Sequence, residues 1–173
     1  MAKPMEPAMG APQKPAVPEA DVMDAMQGTV PSQKGRMPIM SILKKGLEAR
    51  QTGMPFEQFA SFIGARLSSK NNSLVQINNT AFLVIRDEVD PSRVQFGMIS
   101  ADSPKMALQS ISGFYKFLTN QGITSAVTTE EKPEFVDLYK KAGVPIDVQV
   151  APGFYGDERK PEYRVSFVLR GAA

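Results

Sequence analysis

The 173-residue chain contains no cysteine, no histidine and no tryptophan. Without cysteine it can form no disulfide bond, has no thiol nucleophile and offers zinc no thiolate ligand. Without histidine it lacks the side chain that most often serves as a general base near neutral pH. Any chemistry would therefore have to come from carboxylates, tyrosine, serine, threonine, lysine or backbone groups, and the sequence predicts no metal site.

A large net charge and a long apolar run are also missing. The formal net charge is only +2, which provides little attraction for phosphates, so nucleic acid is not expected to be the main partner. No stretch approaches the run of about 20 apolar residues that spans a bilayer. The N-terminus has no apolar signal-peptide core. The sequence therefore predicts neither a membrane segment nor secretion through a signal peptide.

Composition divides the chain into an N-terminal arm and a globular remainder. Residues 1–37 carry six prolines, which are Pro4, Pro7, Pro12, Pro15, Pro18 and Pro31. Proline at this density removes backbone donors and blocks helices and strand ladders, so we predict an extended or disordered arm. Residues 19–26 have the pattern of one short helical turn, whose apolar side would comprise Val22, Met23 and Met26. That side is a candidate for binding a partner protein; a tail without a partner is the simpler alternative.

Residues 38–54 are predicted to form a linker helix. Apolar side chains recur at helical spacing in this segment, and Lys44, Lys45 and Arg50 occupy its other faces. The apolar residues Ile39, Ile42 and Leu43 join the arm as candidates for partner binding. The basic residues would either contact nucleic acid or an acidic partner, or form a solvated face, and the last interpretation is favoured.

The remainder, residues 55–173, is predicted to be an α/β domain. A helix with an apolar stripe begins at Pro55, and strands are expected at 74–78, 81–86 and 94–100. A helix then starts at Ser103-Pro104 and ends at Gly122. Further elements are predicted at 123–129 (strand), 133–142 (helix), 146–150 (strand) and 163–169 (strand). The two later helices are expected to bury Leu108, Ile111, Leu118, Phe135 and Leu138. This order predicts a mixed central sheet flanked by helices.

One segment resembles a known family. The strand 123–129 contains a threonine pair, and it is followed by the amphipathic run FVDLYKKAGV at 135–144. Together they resemble the last strand–helix–strand unit of GNAT-type acyltransferases, and the element order of residues 55–170 is similar to that fold. The resemblance implies a GNAT-like sheet and, for an active member, acetyl-CoA as the cofactor.

The expected cofactor turn departs from the family pattern. In GNAT enzymes a glycine-rich turn before the central helix binds the pyrophosphate of acetyl-CoA through bare backbone donors. The matching residues 100–106 contain no glycine. Asp102 would repel phosphate, Pro104 removes a donor, and only Lys105 carries a helpful charge. We therefore interpret the turn as a degenerate one in which Ser103 or Asp102 caps the helix, and we expect no cofactor. The alternative is that Ser103 and Lys105 bind acetyl-CoA.

The resemblance also implies a role for Tyr139. This residue lies where the family often has the tyrosine that protonates the departing thiolate, and a phenol is chemically able to do so. The alternative is a tyrosine that packs against the sheet. Because the cofactor turn is degenerate, the second interpretation is preferred and no catalytic residue is expected.

These observations favour a noncatalytic structural or assembly protein that binds neighbouring subunits of a larger assembly through its arm. Genomes of short-tailed bacteriophages often carry acetyltransferase-like genes among their virion genes, and an arm of this composition before a small domain looks similar to internal or connector-associated virion proteins. That analogy implies a location in a virion or in the host cytoplasm. The alternative is an atypical GNAT-family N-acetyltransferase that uses acetyl-CoA, and the turn at 101–106 distinguishes the two.

Overall fold

A computed structural model of the protein describes residues 36–151 and 161–169, which form four helices and six strands. The arm residues Val22, Met23 and Met26 lie outside these ranges. Helices α1 to α4 cover Ile39–Arg50, Phe56–Leu67, Pro104–Asn120 and Pro133–Lys141. Strands β1 to β6 cover Asn72–Ile77, Thr80–Arg86, Arg93–Ser100, Ser125–Glu130, Ile146–Ala151 and Glu162–Phe167. The element order is the predicted one. No helix in the described ranges has the length and apolarity needed to cross a bilayer.

The strands form one mixed sheet in the order β1-β2-β3-β4-β6-β5. Strands β3 and β4 are parallel, whereas β1–β2, β4–β6 and β5–β6 are antiparallel pairs. The β1–β2 hairpin turns at Asn78-Asn79, where Asn78 has a φ of 52°. Asparagine tolerates this left-handed conformation better than most residues. The predicted fold class, a mixed sheet flanked by helices, is confirmed.

Contacts divide the described residues into two compact units. The first comprises residues 36–85 and 98–101. Its core is a single cluster of apolar side chains from α1, α2 and three strands, which are Ile39, Ile42, Leu43, Ile63, Leu67, Leu74, Ala81, Leu83 and Ile99. Helix α1 lies directly on the end of β3, because a Cβ added to Gly46 would stand 2.5 Å from Ile99 Cγ1 and 3.1 Å from the backbone N of Ser100.

The packing of α1 corrects one expectation. Ile39, Ile42 and Leu43, expected to bind partners, are only 3%, 0% and 2% exposed. Their stripe packs into the core of their own unit, since α2 and the strands supply an apolar surface for it. In this conformation the three side chains offer no surface to another protein.

The second unit comprises residues 86–97, 102–151 and 161–169 of the described chain. Its core is a group of four aromatic rings. Phe96 lies 5.1 Å from Phe114, 6.1 Å from Tyr139 and 5.0 Å from Phe167 between ring centroids. Such offset and edge-on contacts stabilise beyond the area they bury. Strand β3 therefore contributes the ring around which α3, α4 and β6 pack.

The predicted buried faces of α3 and α4 are partly confirmed. Ile111 and Leu118 are fully buried, as expected, whereas Leu108 is only partly so. In α4 the buried residues are Val136 and Tyr139. Phe135 and Leu138 are only partly buried. The stripe that faces the core is thus displaced by one position, because the tyrosine ring fits among the aromatic rings of the unit.

The turn between β2 and β3 is closed by a carboxylate. Asp87 Oδ1 accepts hydrogen bonds from the backbone N of Val89 at 2.8 Å and of Asp90 at 3.0 Å. The bond from Asp90, and to a lesser extent that from Val89, lowers the pKa of the exposed Asp87 carboxyl, because each favours its charged form. Asp87 is therefore a structural residue of the turn.

Candidate functional site

The parallel pair β3 and β4 gives the sheet a candidate ligand site. Each strand is followed by a helix, β3 by α3 and β4 by α4. In α/β sheets, ligands bind outside the carboxyl ends of such strands, where helix N-termini also lie. The pairing of the two strands runs from Arg93↔Ser125 to Gln95↔Val127. Strand β4 continues beyond Val127 to Glu130, so its carboxyl end extends past the parallel ladder.

The N-terminus of α3 is capped by the chain itself. Ser103 is the N-cap, as predicted, and its Oγ accepts a hydrogen bond from the backbone N of Met106 at 3.3 Å. Pro104 occupies the first turn and has no N–H to donate. Lys105 is exposed. A helix start usually leaves its first backbone N–H groups free to bind a ligand. Here Pro104 has no such group, and that of Met106 is already bonded to Ser103.

Asp102 is bound to the same helix. Its Oδ2 accepts a hydrogen bond from Ser110 Oγ at 3.2 Å, and Ser110 itself is fully buried. Ser110 Oγ also lies within donating distance of the backbone O of Met106, at 3.0 Å, so the two acceptors share one hydroxyl proton. The carboxylate thus forms part of the packing of α3. This role could not be recognised from local sequence, because Ser110 lies eight residues away.

Tyr139 is enclosed by the second unit. Its side chain is 0% exposed, and its hydroxyl donates to Glu130 Oε2 over 3.2 Å. Glu130 is itself 3% exposed. The rings of Phe96 and Phe167 lie 6.1 Å and 5.9 Å from the tyrosine ring. In this arrangement the hydroxyl is directed at a buried carboxyl group, so Tyr139 would have to leave it to meet a substrate.

Sequence reasoning missed Glu130. Its place in a run of three charged residues, with Glu131 and Lys132, is typical of a solvated loop. Glu130 instead closes strand β4 and is buried. The available signal is the strand period of two: Ala126, Thr128 and Glu130 share one face of β4, and all three are buried. A carboxyl on an otherwise buried face would have indicated a hydrogen-bonded partner.

Replacement of Tyr139 by phenylalanine is expected to cost about 1–3 kcal/mol of unfolding free energy, because a buried carboxyl loses a hydrogen-bond donor. Denaturant titration of the full chain measures this loss. The matched control is Tyr115→Phe, since the Tyr115 hydroxyl donates to the backbone O of Val168 at 2.9 Å but at an exposed position. We expect a smaller change there. An unchanged stability for Tyr139→Phe would contradict the structural role.

The structure brings some predicted site residues together and separates others. Ser103 and Lys105 lie at the start of α3, and Tyr139 lies on α4, all within the second unit. The three predicted partner-binding residues of α1 belong to the core of the first unit. Whether Ser103 and Lys105 hold a cofactor, and whether Tyr139 takes part in catalysis, stay predictions.

The sequence matches no family model, and no curated protein is significantly similar to it. Solved structures, in contrast, are similar in fold. An aminoglycoside 6'-N-acetyltransferase from Enterococcus faecium superposes with a TM-score of 0.54 at 9% identity, covering 78% of this chain and 93% of the other. A GNAT superfamily phosphinothricin acetyltransferase from Sinorhizobium meliloti, solved in complex with AcCoA, gives 0.53 at 11% identity, covering 78% and 85%.

A third solved structure is also similar in fold. A chimeric spermidine N-acetyltransferase from Vibrio cholerae superposes with a TM-score of 0.53 at 14% identity, covering 90% of this chain and 94% of the other. At such low identity the comparison establishes the fold alone. The protein therefore has a GNAT-like acetyltransferase fold.

Proposed function

We propose that the protein binds acetyl-CoA beside the parallel strands β3 and β4 and transfers the acetyl group to an amine. The observation that carries this proposal is the parallel pair itself, whose three-residue ladder ends before β4 does. Residues 128–130 of β4 pair with β6 on one side, whereas the described ladder with β3 ends at Val127. The backbone on the β3 side is a suitable partner for an amide-containing chain such as pantetheine. The similar structures support an amine acceptor, since those from E. faecium and V. cholerae are both N-acetyltransferases by name.

The residues at the start of α3 fit the cofactor in part. Lys105 is exposed at the helix start and offers an ammonium group and a backbone N–H to the pyrophosphate. Asp102 opposes a phosphate, but its Oδ2 is already bonded to Ser110. When bound, acetyl-CoA supplies the activated acetyl group. Lys105 and Ser103 would hold its phosphates, and Tyr139 would keep the Glu130 carboxyl in position.

A second function is favoured by other details of the same site. Pro104, the engaged donor at Met106 and the buried Tyr139 hydroxyl all reduce the groups available for acetyl-CoA chemistry. They support a noncatalytic protein that uses the GNAT-like fold as a structural unit of a larger assembly, such as a bacteriophage virion, with other protein subunits as its partners. Acetyl-CoA binding decides between the two functions.

Calorimetric titration of the full chain with acetyl-CoA is the test. We expect saturable binding in the micromolar range, or about −8 kcal/mol. Lys105→Ala should weaken it about three- to tenfold, because one charge-assisted phosphate contact is lost. Lys116→Ala is the matched control, since Lys116 is also exposed on α3 but lies three turns away, and it should leave the affinity unchanged.

Turnover is measured by the release of CoA thiol in the presence of spermidine or an aminoglycoside. The chain has no cysteine, so a thiol reagent detects only the product. Absence of binding at millimolar acetyl-CoA would refute the proposal and favour the assembly function, which light scattering would then examine through the mass of the particle that the protein forms.

A further inference from the structure

Helix α2 presents an aromatic surface to solvent. Phe59, Phe62 and Arg66 follow one another at helical spacing along one side of the helix, and we call them the Phe62 face. Phe62 is 47% exposed. The Arg66 guanidinium carbon lies 5.1 Å from the centre of its ring. An exposed phenylalanine with a cation beside it is suited to an apolar partner that also carries negative charge.

The arm enters the first unit close to the core that α2 covers. The backbone N of Met37 donates to Asn79 Oδ1 at 2.8 Å, and its O accepts from Gln76 Nε2 at 2.9 Å. The Gln76 side chain is 1% exposed, so this attachment is buried. The Met37 side chain packs against the same apolar cluster as Phe59. The residues that precede Met37 therefore begin beside the cluster on which α2 lies.

Arg36 supplies a second indication of an acidic partner. Its Nη1 is buried and has no hydrogen-bond partner among the described residues. A buried guanidinium nitrogen without an acceptor costs free energy, and a carboxylate is the acceptor that offsets this cost best. The entry point of the arm thus contains a cationic group for which a carboxylate is the best acceptor.

Residues 19–26 of the arm, EADVMDAM, have the matching chemistry. They combine the acidic residues Glu19, Asp21 and Asp24 with the apolar Val22, Met23 and Met26. Arg36 lies ten residue steps beyond Met26, and a chain of that length spans at most about 33–36 Å when extended. The twelve residues of α2 measure only about 18 Å along the helix axis. The segment can therefore reach the Phe62 face of its own chain.

We infer that residues 19–26 dock on the Phe62 face of the same chain. Val22 and Met26 contact Phe59 and Phe62, and the carboxylates of the segment face Arg66 and Arg36. The inference is independent of acetyl-CoA binding, because it concerns the first unit alone. It gives the arm a site on its own chain, whereas the composition had suggested either a partner protein or a tail without a partner.

Hydrogen exchange in the full-length chain tests the docking. We expect the backbone amides of residues 20–26 to exchange at least about tenfold more slowly than in an unstructured peptide, since a docked segment opens only part of the time. Phe62→Asp should abolish this protection. The control is Val89→Asp, which also replaces an exposed apolar residue, 94% accessible, but in the other unit, and it should leave the protection unchanged.

Val22→Asp tests the docking from the side of the arm, and it should release the segment as Phe62→Asp does. The double variant should show no further change, because both substitutions break one contact. Unprotected amides in the wild type, or equal protection in Phe62→Asp and Val89→Asp, would overturn the inference. Each variant's melting temperature shows that the described core remains folded.

A pair of introduced cysteines tests whether the segment docked on the Phe62 face belongs to the same chain or to a second copy. Because the chain has no native cysteine, Ala25→Cys combined with Ala65→Cys, an exposed site on α2, can form only the intended bond. Oxidation should give an intramolecular disulfide in a monomer, whereas Ala25→Cys with Val89→Cys should give none. Disulfide-linked dimers would mean that the arm docks on a second copy and would overturn the inference, as would the absence of any disulfide.

Discussion

Valine in place of Gly46 is expected to lower the unfolding free energy by about 3 kcal/mol or more, which is at the upper end of overpacking effects. A Cβ at this position would lie 2.5 Å from Ile99 Cγ1 and 3.1 Å from the backbone N and O of Ser100. Ile99 is buried and Ser100 is held in β3, so neither can retreat cheaply. Replacing glycine by valine improves helix propensity by at most about 1 kcal/mol. The steric cost is larger than this gain.

Urea titration of the full chain measures this loss. Ala49→Val on the same helix is the matched control, because Ala49 is exposed and the change should stay within about 0.5–1 kcal/mol. If Gly46→Val were as stable as the wild type, α1 would not lie against the end of β3. That result would also remove the basis for the buried positions of Ile42 and Leu43.

The second large effect is expected at Phe114, where alanine should cost about 3–5 kcal/mol. Phe114 is 0% exposed. Its ring lies 5.1 Å from Phe96, 6.2 Å from Phe117 and 6.3 Å from Phe167, so truncation leaves a cavity among aromatic rings. Such a cavity cannot collapse easily, because the surrounding rings come from two strands and from α3 itself.

Phe62→Ala is the matched control for this prediction. It also removes a phenyl ring, but one that is 47% exposed. Less apolar area is therefore returned to water, and no closed cavity forms. Thermal or urea unfolding should therefore show a clearly smaller change than at Phe114. Equal losses at the two sites would contradict the aromatic core of the second unit.

Local signals in the sequence predicted the elements well. Ser103-Pro104 predicts a helix start, because a serine hydroxyl can cap a helix and proline suits its first turn. In the structure Ser103 caps α3 and Pro104 occupies its first turn. Asn78-Asn79 marks the hairpin because asparagine accepts a left-handed backbone. These features depend on residues that are close in sequence, and so did the strand–helix pattern that resembled the GNAT fold.

Features that depend on distant residues could not be predicted. The apolar stripe of Ile39, Ile42 and Leu43 has the same sequence pattern whether it binds a partner or packs into its own core. Its burial depends on contacts with α2 and β3, which are distant in sequence. Glu130 looked like part of a charged loop because its hydroxyl partner, Tyr139, is on the following helix. The noncatalytic interpretation rested on the cofactor turn, whereas the similarity to solved acetyltransferases concerns the fold.

The hairpin turn at Asn79 has a consequence for the order of folding. Its side chain accepts from the backbone N of Met37, 42 residues earlier, and its backbone O accepts from the N of Ala101 at 2.8 Å. A two-residue turn closes within microseconds on its own, but these two bonds must wait for chain segments from both directions. These two bonds can therefore add to the stability of the first unit only when the residues before α1 and after β3 have both reached the same asparagine.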